Sequence, residues 1–378
     1  MGLTGNKKPE GIDILFIVSI LPPYPGGAAI DYFSFLSLLS KRKEFERITV
    51  LTERGCSKGI ENVDFLDTLF NYDSAKAGEK SRLKQALNYL MIIWRIISSN
   101  HDIIHIHARY VYAGYVGRLV WLALLASRSK AVIDIRDRFY NSFGFGHSFI
   151  VCSEDLLEYY SWIKKASYIP VPMGIKAAGR GASQSRHIAY FGAIASNKGI
   201  LELVEGFKEY LKDSEDPLEL RIYGPDLIGA RFLKGIEGIE RIKFMGVIPN
   251  DEVARKILDC RAVVLPSKSE GMPRVCLETM ALGRVIACHR NIRSMFPCIP
   301  EEFVLDDLAP QEFKRVLFNI EASDGEVSYD YDFSVHSPEN VSERLLELYK
   351  KILYPRNSMK DPKRFNEKGL QEGRCLYP

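Results

Sequence analysis

The sequence has no CxxC pair: its seven cysteines, Cys56, Cys152, Cys260, Cys276, Cys288, Cys298 and Cys375, are scattered singly. An odd set without pattern offers neither a zinc site nor a disulfide framework and fits a reducing compartment. Net charge is nearly absent as well, since 51 basic against 48 acidic residues leave only +3. A dedicated nucleic-acid binder would be far more basic. Residues 1–172 carry 21 basic and 17 acidic side chains, a mild excess that allows weak attraction to an anionic membrane surface and is equally explained by a solvated face. The opening MGLTGNKKPEGID contains no apolar run, so no secretory signal is expected. The expected location is cytoplasmic, with peripheral contact at the inner face of a membrane as an extension. The most apolar stretch, Tyr110–Ser127, is marginal in length for a membrane span and contains Arg118; it reads as a buried helix.

What is present is the composition of a folded protein. At 46% hydrophobic and 26% charged, the chain is neither disordered nor collagen-like. Its 378 residues exceed the roughly 100–200 of one domain and predict two. In the first half, strands are expected at Asp13–Ser19, Arg47–Thr52, Ile103–His107, Ala131–Ile135 and Phe149–Cys152. Helices are expected at about Ala28–Ser40, Glu79–Ser99 and Tyr110–Ser127. This alternation implies a mostly parallel sheet with helices on both faces. Lys176–His187 (KAAGRGASQSRH) is small and polar, as an interdomain linker would be.

The alternation then restarts. Strands are expected at Ile188–Gly192, Leu218–Tyr223, Arg241–Met245, Ala262–Pro266 and Arg284–Cys288. Helices are expected at Lys198–Leu211, at Asn250–Cys260 with Asn250 as cap, and at Pro273–Leu282. Ser337-Pro338-Glu339 is a strong start for a last helix over Pro338–Leu353. The resulting division is 1–173, 174–336, and a C-terminal helix plus tail over 337–378, the helix packing back towards the N-terminal domain. Residues 354–378 show little periodicity.

The most informative segment runs PSKSEGMPRVCLETMALG from Pro266 to Gly283. Glu270 falls in a loop after a strand and Glu278 inside the next helix. Eight helical steps would separate them by about 12 Å, comparable to the span from a hexose to a ribose across a diphosphate. Amides around Gly271 and Met272 fall at the helix start, where anions are favoured. Two ordinary surface acids at a strand–loop–helix junction fit the same spacing. A second loop, Gly192-Ala-Ile-Ala-Ser-Asn-Lys198-Gly199, follows the first strand of its half, a natural phosphate position with Lys198 as the cation.

These motifs together resemble family 4 of the retaining glycosyltransferases. PSxSEGxPRVxLExMAxG, G-x-x-x-x-x-K-G and IPVPMGI carry the resemblance, joined by PPYPGG, HDIIHIH and DIRD in the first half. It covers roughly residues 12–353. It implies a GT-B fold, two Rossmann-like domains facing each other across a cleft. The acceptor would sit mainly in the N-terminal domain and the nucleotide-sugar donor in the C-terminal one. By resemblance, Glu278 takes the donor ribose hydroxyls. Glu270 with the backbone of Gly271 and Met272 takes the transferred sugar. Lys198 neutralises the leaving diphosphate, and Gly192, Pro273 and Arg274 complete the donor site. Ala193 departs from the pattern, which usually has arginine there; Arg274 is a candidate substitute.

Retaining transfer passes through an oxocarbenium-like state while charge grows on the diphosphate, so the leaving group must be stabilised. Asp330-Tyr331-Asp332 is one formal Asp-x-Asp match, but it lies outside the phosphate loops and reads as a solvated loop. The expected mechanism therefore uses no metal and no cofactor beyond the donor.

His105 and His107 alternate on one strand and share a face. The resemblance places His107 near the reacting sugar carbon; a hydrogen-bonded core histidine is the other reading for each. Gly26 and Gly27 would let an acceptor approach the backbone, or make a tight turn. Arg136 and Asp137 would bind acceptor, or form an internal ion pair. The helix over Glu79–Ser99 starts basic (Lys80, Arg82, Lys84) and turns apolar (Leu90–Trp94). That pattern suits core packing or a membrane surface, and the latter would favour a lipid-linked acceptor. The expected activity is transfer of a sugar from a nucleotide donor to a sugar or lipid-linked acceptor in polysaccharide or glycoconjugate assembly. The competing readings are a non-catalytic GT-B partner subunit and a nucleotide-sugar epimerase. No nucleic-acid partner is expected.

Overall fold

The structure is a computed structural model. It describes residues 11–19, 21–22, 26–56, 59–70, 82–112, 114–138, 146–174 and 185–355. The expected linker Lys176–His187 lies almost wholly outside these residues, as do the middle of PPYPGG, the start of the basic helix and the tail beyond Pro355.

The chain divides into two compact units, one up to Pro172 and resuming at Val335, the other Met173–Ser334. The first is built on a parallel sheet of β1 (Ile12–Ile17), β2 (Phe45–Glu53), β3 (Val63–Leu69), β4 (Ile103–His107), β5 (Lys130–Ile135), β6 (Ser148–Val151) and β7 (Ala166–Tyr168), ordered β3-β2-β1-β4-β5-β6-β7. β1, β4 and β5 are almost wholly buried, as strands covered by helices on both faces must be. The order reverses between β1 and β4, and the C-terminal ends of strands at such a reversal are where α/β sheets bind ligands. The helix Gly27–Leu39 leaves β1 there, buries Tyr32, Phe35, Leu36 and Leu39, and shares a core with Val341, Leu345, Leu346 and Tyr349 of the last helix, Pro338–Leu353. Ser337 caps that helix by accepting from the Asn340 amide at 3.3 Å.

The second unit repeats the plan with β8 (His187–Phe191), β9 (Glu219–Tyr223), β10 (Ile242–Gly246), β11 (Ala262–Leu265), β12 (Val285–His289) and β13 (Val304–Leu305), ordered β10-β9-β8-β11-β12-β13. Its reversal point lies between β8 and β11. Its core is aliphatic and aromatic, centred on Ile188, Tyr190, Phe207, Ile222, Val264 and Phe313.

Several expectations are revised. β3 was not expected; its half-exposed pattern suits an edge strand, whose apolar signal is diluted. The single helix over Tyr110–Ser127 is two, Ala108–Val111 and Gly114–Ala126, parted at Gly114, whose φ is 58°. Asn250 is the first helical residue rather than the cap: Pro249 holds the cap position and no side chain caps the helix. The helices Glu154–Tyr159, Ala230–Ile236 and Pro310–Ala322 were not anticipated.

Candidate active site

In the second unit, the loops that follow β8, β9 and β11 carry the candidate chemistry, beside the reversal point where α/β sheets bind ligands. After β8 the chain turns at Gly192 and makes a short 3-10 turn, Ser196–Lys198. At Gly199 it adopts φ 70° before the helix Ile200–Leu211 begins. A Cβ on Gly199 would lie 2.8 Å from the Pro266 carbonyl oxygen, so glycine lets this loop rest directly on the end of β11. The β9 loop is fastened to the same turn. The Ile194 amide donates to the Pro225 carbonyl at 2.9 Å, and the Leu227 amide to that of Ile194 at 3.0 Å. Gly224, with φ 143°, passes so close to Gly192 that an added Cβ would fall 1.8 Å from its oxygen.

On this scaffold Lys198 and Glu270 meet across 72 residues of sequence, Nζ to Oε1 at 2.6 Å. Both side chains are partly open to solvent. The helix Arg274–Ala281 starts just beyond, with Pro273 at its cap position and no side-chain cap. The Cys276 amide turns back to the Pro273 carbonyl at 3.0 Å, and the positive end of the helix favours an anion. Glu278 lies one turn in, buried, with Arg274 approaching its Oε1 at 3.4 Å. The helical-rise estimate of the glutamate separation does not apply, because Glu270, Gly271 and Met272 precede the helix. Ala193 brings no cation; its carbonyl accepts from the Tyr190 hydroxyl at 2.8 Å. Asp330 and Asp332 are exposed, and the Asp332 carboxylate caps the Ser334 amide at 2.9 Å. Among the described residues, no group of three or more His, Cys, Asp or Glu side chains is arranged to hold a metal ion.

In the first unit the candidates gather at the C-terminal ends of β1, β4 and β5. His105 is fully buried, stacked on Phe16. Its Nδ1 lies 2.6 Å from the Tyr349 hydroxyl and its Nε2 3.3 Å from Asp134; this is the core reading of that histidine. His107, two residues on, is 8% exposed, yet neither of its ring nitrogens finds a hydrogen-bond partner among the described residues. Burial, only partly opposed by Asp134, lowers its pKa to about 3, so the ring is neutral at any physiological pH. Its neighbour Tyr32 meets it edge-on at 5.7 Å.

Arg136 takes the internal arrangement rather than the acceptor-facing one. Its guanidinium grips Asp134 with two bonds, 2.9 and 2.8 Å, and Asp31 with a third at 2.9 Å. It also lies over Phe35 and Tyr32 at 5.0 and 5.2 Å. Burial raises the Asp134 pKa, but Arg136 and His105 outweigh it and hold the carboxyl well below the usual range. Asp137 offers its backbone carbonyl to the Tyr160 hydroxyl at 2.9 Å. Gly26 precedes the helix Gly27–Leu39 at φ 146° with open space where a Cβ would stand, so its backbone is approachable and its conformation suits glycine. Asp31 was not singled out in the sequence, and Asp134 appeared there only as part of DIRD, without a role. The signal was there: each is a lone acid in an apolar element, and such an acid must be paired.

Residues 185–302 match the family model described as glycosyl transferases group 1. No curated protein matches the chain by sequence. Among solved structures, α,α-trehalose 6-phosphate synthase from Burkholderia multivorans aligns with a TM-score of 0.64 at 11% identity, over 91% of this chain and 99% of its own. Sucrose-phosphate synthase from Thermosynechococcus elongatus aligns at 0.62 and 16% identity, over 92% and 98%. TarM of S. aureus, in complex with UDP and α-GlcNAc-glycerol, aligns at 0.53 and 15% identity. It shares 71% of this chain, which spans about three fifths (59%) of TarM's length. These likenesses establish the fold, two Rossmann-like domains of the GT-B class. Over residues 185–302 the chain is thus similar to a glycosyl transferases group 1 domain, on a GT-B fold.

Proposed function

We propose that the protein is a metal-independent retaining glycosyltransferase that moves a sugar from a nucleotide-sugar donor to a sugar or lipid-linked acceptor, in polysaccharide or glycoconjugate assembly. It is similar to family 4 of the retaining enzymes. The observation that carries the reading is the Lys198–Glu270 contact at 2.6 Å, beside an uncapped helix start with Glu278 one turn further. A cation, a row of amides and two carboxylates are what a diphosphate joined to two sugars requires. TarM was solved with UDP bound, in keeping with a nucleotide at such a site.

In this reading Glu278 holds the ribose hydroxyls, and Glu270 with the Gly271 and Met272 backbone orients the transferred sugar. Lys198 and the first-turn amides near Pro273 and Arg274 take up the charge that develops on the departing diphosphate, which is where catalysis gains most. The neutral His107 ring offers a hydrogen bond to the reacting sugar. The acceptor approaches by the open backbone at Gly26 and Gly27. Peripheral membrane contact, from a cytoplasmic location, brings a lipid-linked acceptor within reach.

The test is a thermal-shift screen of the full chain against UDP, GDP, ADP and their sugar conjugates, followed by hydrolysis of any donor that binds. Stabilisation by one nucleotide class supports a donor site by mass action. No shift with any of them overturns it. Binding without hydrolysis or transfer points to the second reading, a non-catalytic partner subunit, which Ala193 favours by leaving one phosphate cation out.

A further inference from the structure

Two neighbouring helices of the N-terminal unit, Arg82–Ile97 and Gly114–Ala126, each bury one face and leave the other bare. On the first, Asn88, Tyr89, Ile92 and Ile96 are buried, while Leu83, Leu87, Leu90, Trp94 and Ile97 are exposed. Steps of three and four residues put these five on one stripe. On the second, Gly117, Val120, Trp121 and Leu124 are buried, while Tyr115, Leu119, Leu122 and Leu125 are exposed. The helices pack on each other, so the two stripes adjoin. Trp94 is 60% and Tyr115 83% exposed, and a contiguous apolar surface of this kind marks an interaction site.

Charge selects the occupant. Neither helix contains an acidic residue, and the sequence has none over 81–101 or 103–133. Their charged residues are Arg82, Lys84, Arg95 and Arg118. Arg95 lies over the Trp94 ring at 4.8 Å and Arg118 over the Tyr115 ring at 5.1 Å. Each pair thus presents an amphipathic aromatic and a cation together, as residues at a lipid headgroup level do. A second copy of the same face would set cation against cation.

We propose that this two-helix face is a peripheral docking surface for an anionic lipid bilayer. The leucines and aromatics enter the boundary between headgroups and acyl chains, and the basic residues meet lipid phosphates. The assignment extends the membrane contact of the proposed function to a second helix and a lipid class, and it does not depend on the transfer activity.

The experiment is sedimentation of the full chain with phosphatidylcholine vesicles, alone or with roughly one-third phosphatidylglycerol. The expected result is binding to the anionic vesicles only, weakened by salt, with a blue shift of tryptophan emission that Trp94→Phe removes. Leu90→Glu combined with Leu122→Glu, both at exposed positions, should lower binding roughly tenfold or more and leave any nucleotide-induced thermal shift unchanged. Failure to sediment with either vesicle, or equal sedimentation with both, overturns the proposal. So does a dimer in solution that the double variant converts to monomer. A chain that docks on anionic vesicles but binds no nucleotide upholds this surface and removes the transferase reading.

Discussion

Lys198 Nζ lies 2.6 Å from Glu270 Oε1, although one follows β8 and the other β11. The pair is partly open to solvent, and an exposed ion pair contributes at most about 1 kcal/mol to stability. Under the proposed function the pair would matter for what it presents: a cation held ready for a phosphate, and a carboxylate that would turn to a sugar hydroxyl once phosphate claimed the lysine.

Replacing Glu278 with alanine should weaken nucleotide-sugar binding, whereas Lys198→Ala should mainly lower turnover. Loss of a leaving-group contact is expected to cost on the order of a hundredfold in kcat. Donor titration by calorimetry and steady-state kinetics check both. Unchanged affinity and unchanged rate in the two variants would contradict the site assignment.

His107→Phe separates a reacting role from a packing role. Both ring nitrogens are buried without a partner among the described residues, and an apolar ring of similar shape relieves that burial. Stability should hold or rise while transfer falls. A variant that keeps full activity removes His107 from the site; one that unfolds early shows a core role instead.

Acid should destabilise the protein well before its carboxylates titrate. Burial lowers His107 to about 3 and His147 to about 4, and His187 also to about 4. From the ordinary histidine value near 6.5 down to these values, the unfolded chain binds protons that the native state does not. This stability is complete above about pH 6.5 and declines as pH falls towards 4. Melting temperatures across pH 8 to about 4 test it, and a curve flat down to 4 would refute the burial argument.

Asp134→Asn should destabilise by about 3–5 kcal/mol, because it leaves the buried Arg136 with one carboxylate and replaces an oxygen that faces Arg136 or His105 with a donating amide. Urea unfolding measures it. A loss below about 1 kcal/mol would mean that the Arg136 guanidinium has access to water or to another anion.

A chelator should leave transfer activity intact, since the proposed diphosphate contacts are a lysine and backbone amides. Complete loss with EDTA, restored by magnesium or manganese, would replace that mechanism with a metal-assisted one.

The strands beside the two reversal points were legible in the sequence: Ile103–His107 is isoleucine broken only by two histidines and Ala262–Leu265 is wholly apolar, and the loops that carry Lys198 and Glu270 follow short strands rich in apolar residues. Of the edge strands, β10 was legible as Arg241–Met245, while β3, β7 and β13 were not. β3 alternates too weakly to stand out. The helix Pro310–Ala322 buries Phe313, Val316, Leu317 and Ile320, an apolar stripe at helical spacing set among charged residues. Arg136 shows the limit of reading a site from strand position alone. Its place at the end of β5 allowed two roles, and only the positions of Asp31 and Asp134, contributed by a different helix and its own strand, decide which one it plays in this structure. Gly224 was similarly hidden, because its tightness depends on Gly192 in another loop.

The last helix of the chain completes the first unit. Tyr349 reaches His105 at 2.6 Å, and Leu345 and Leu346 are fully buried in that unit's core. A ribosome making this protein therefore releases β1 to β7 long before the residues that close their core. All of Met173–Ser334 is synthesised in between. The early sheet must wait, with the seat of Pro338–Leu353 uncovered, while the second unit, whose described residues form one stretch of sequence, can fold first. Helpers that bind exposed apolar surface during translation should act on the N-terminal unit, although it is the first to emerge.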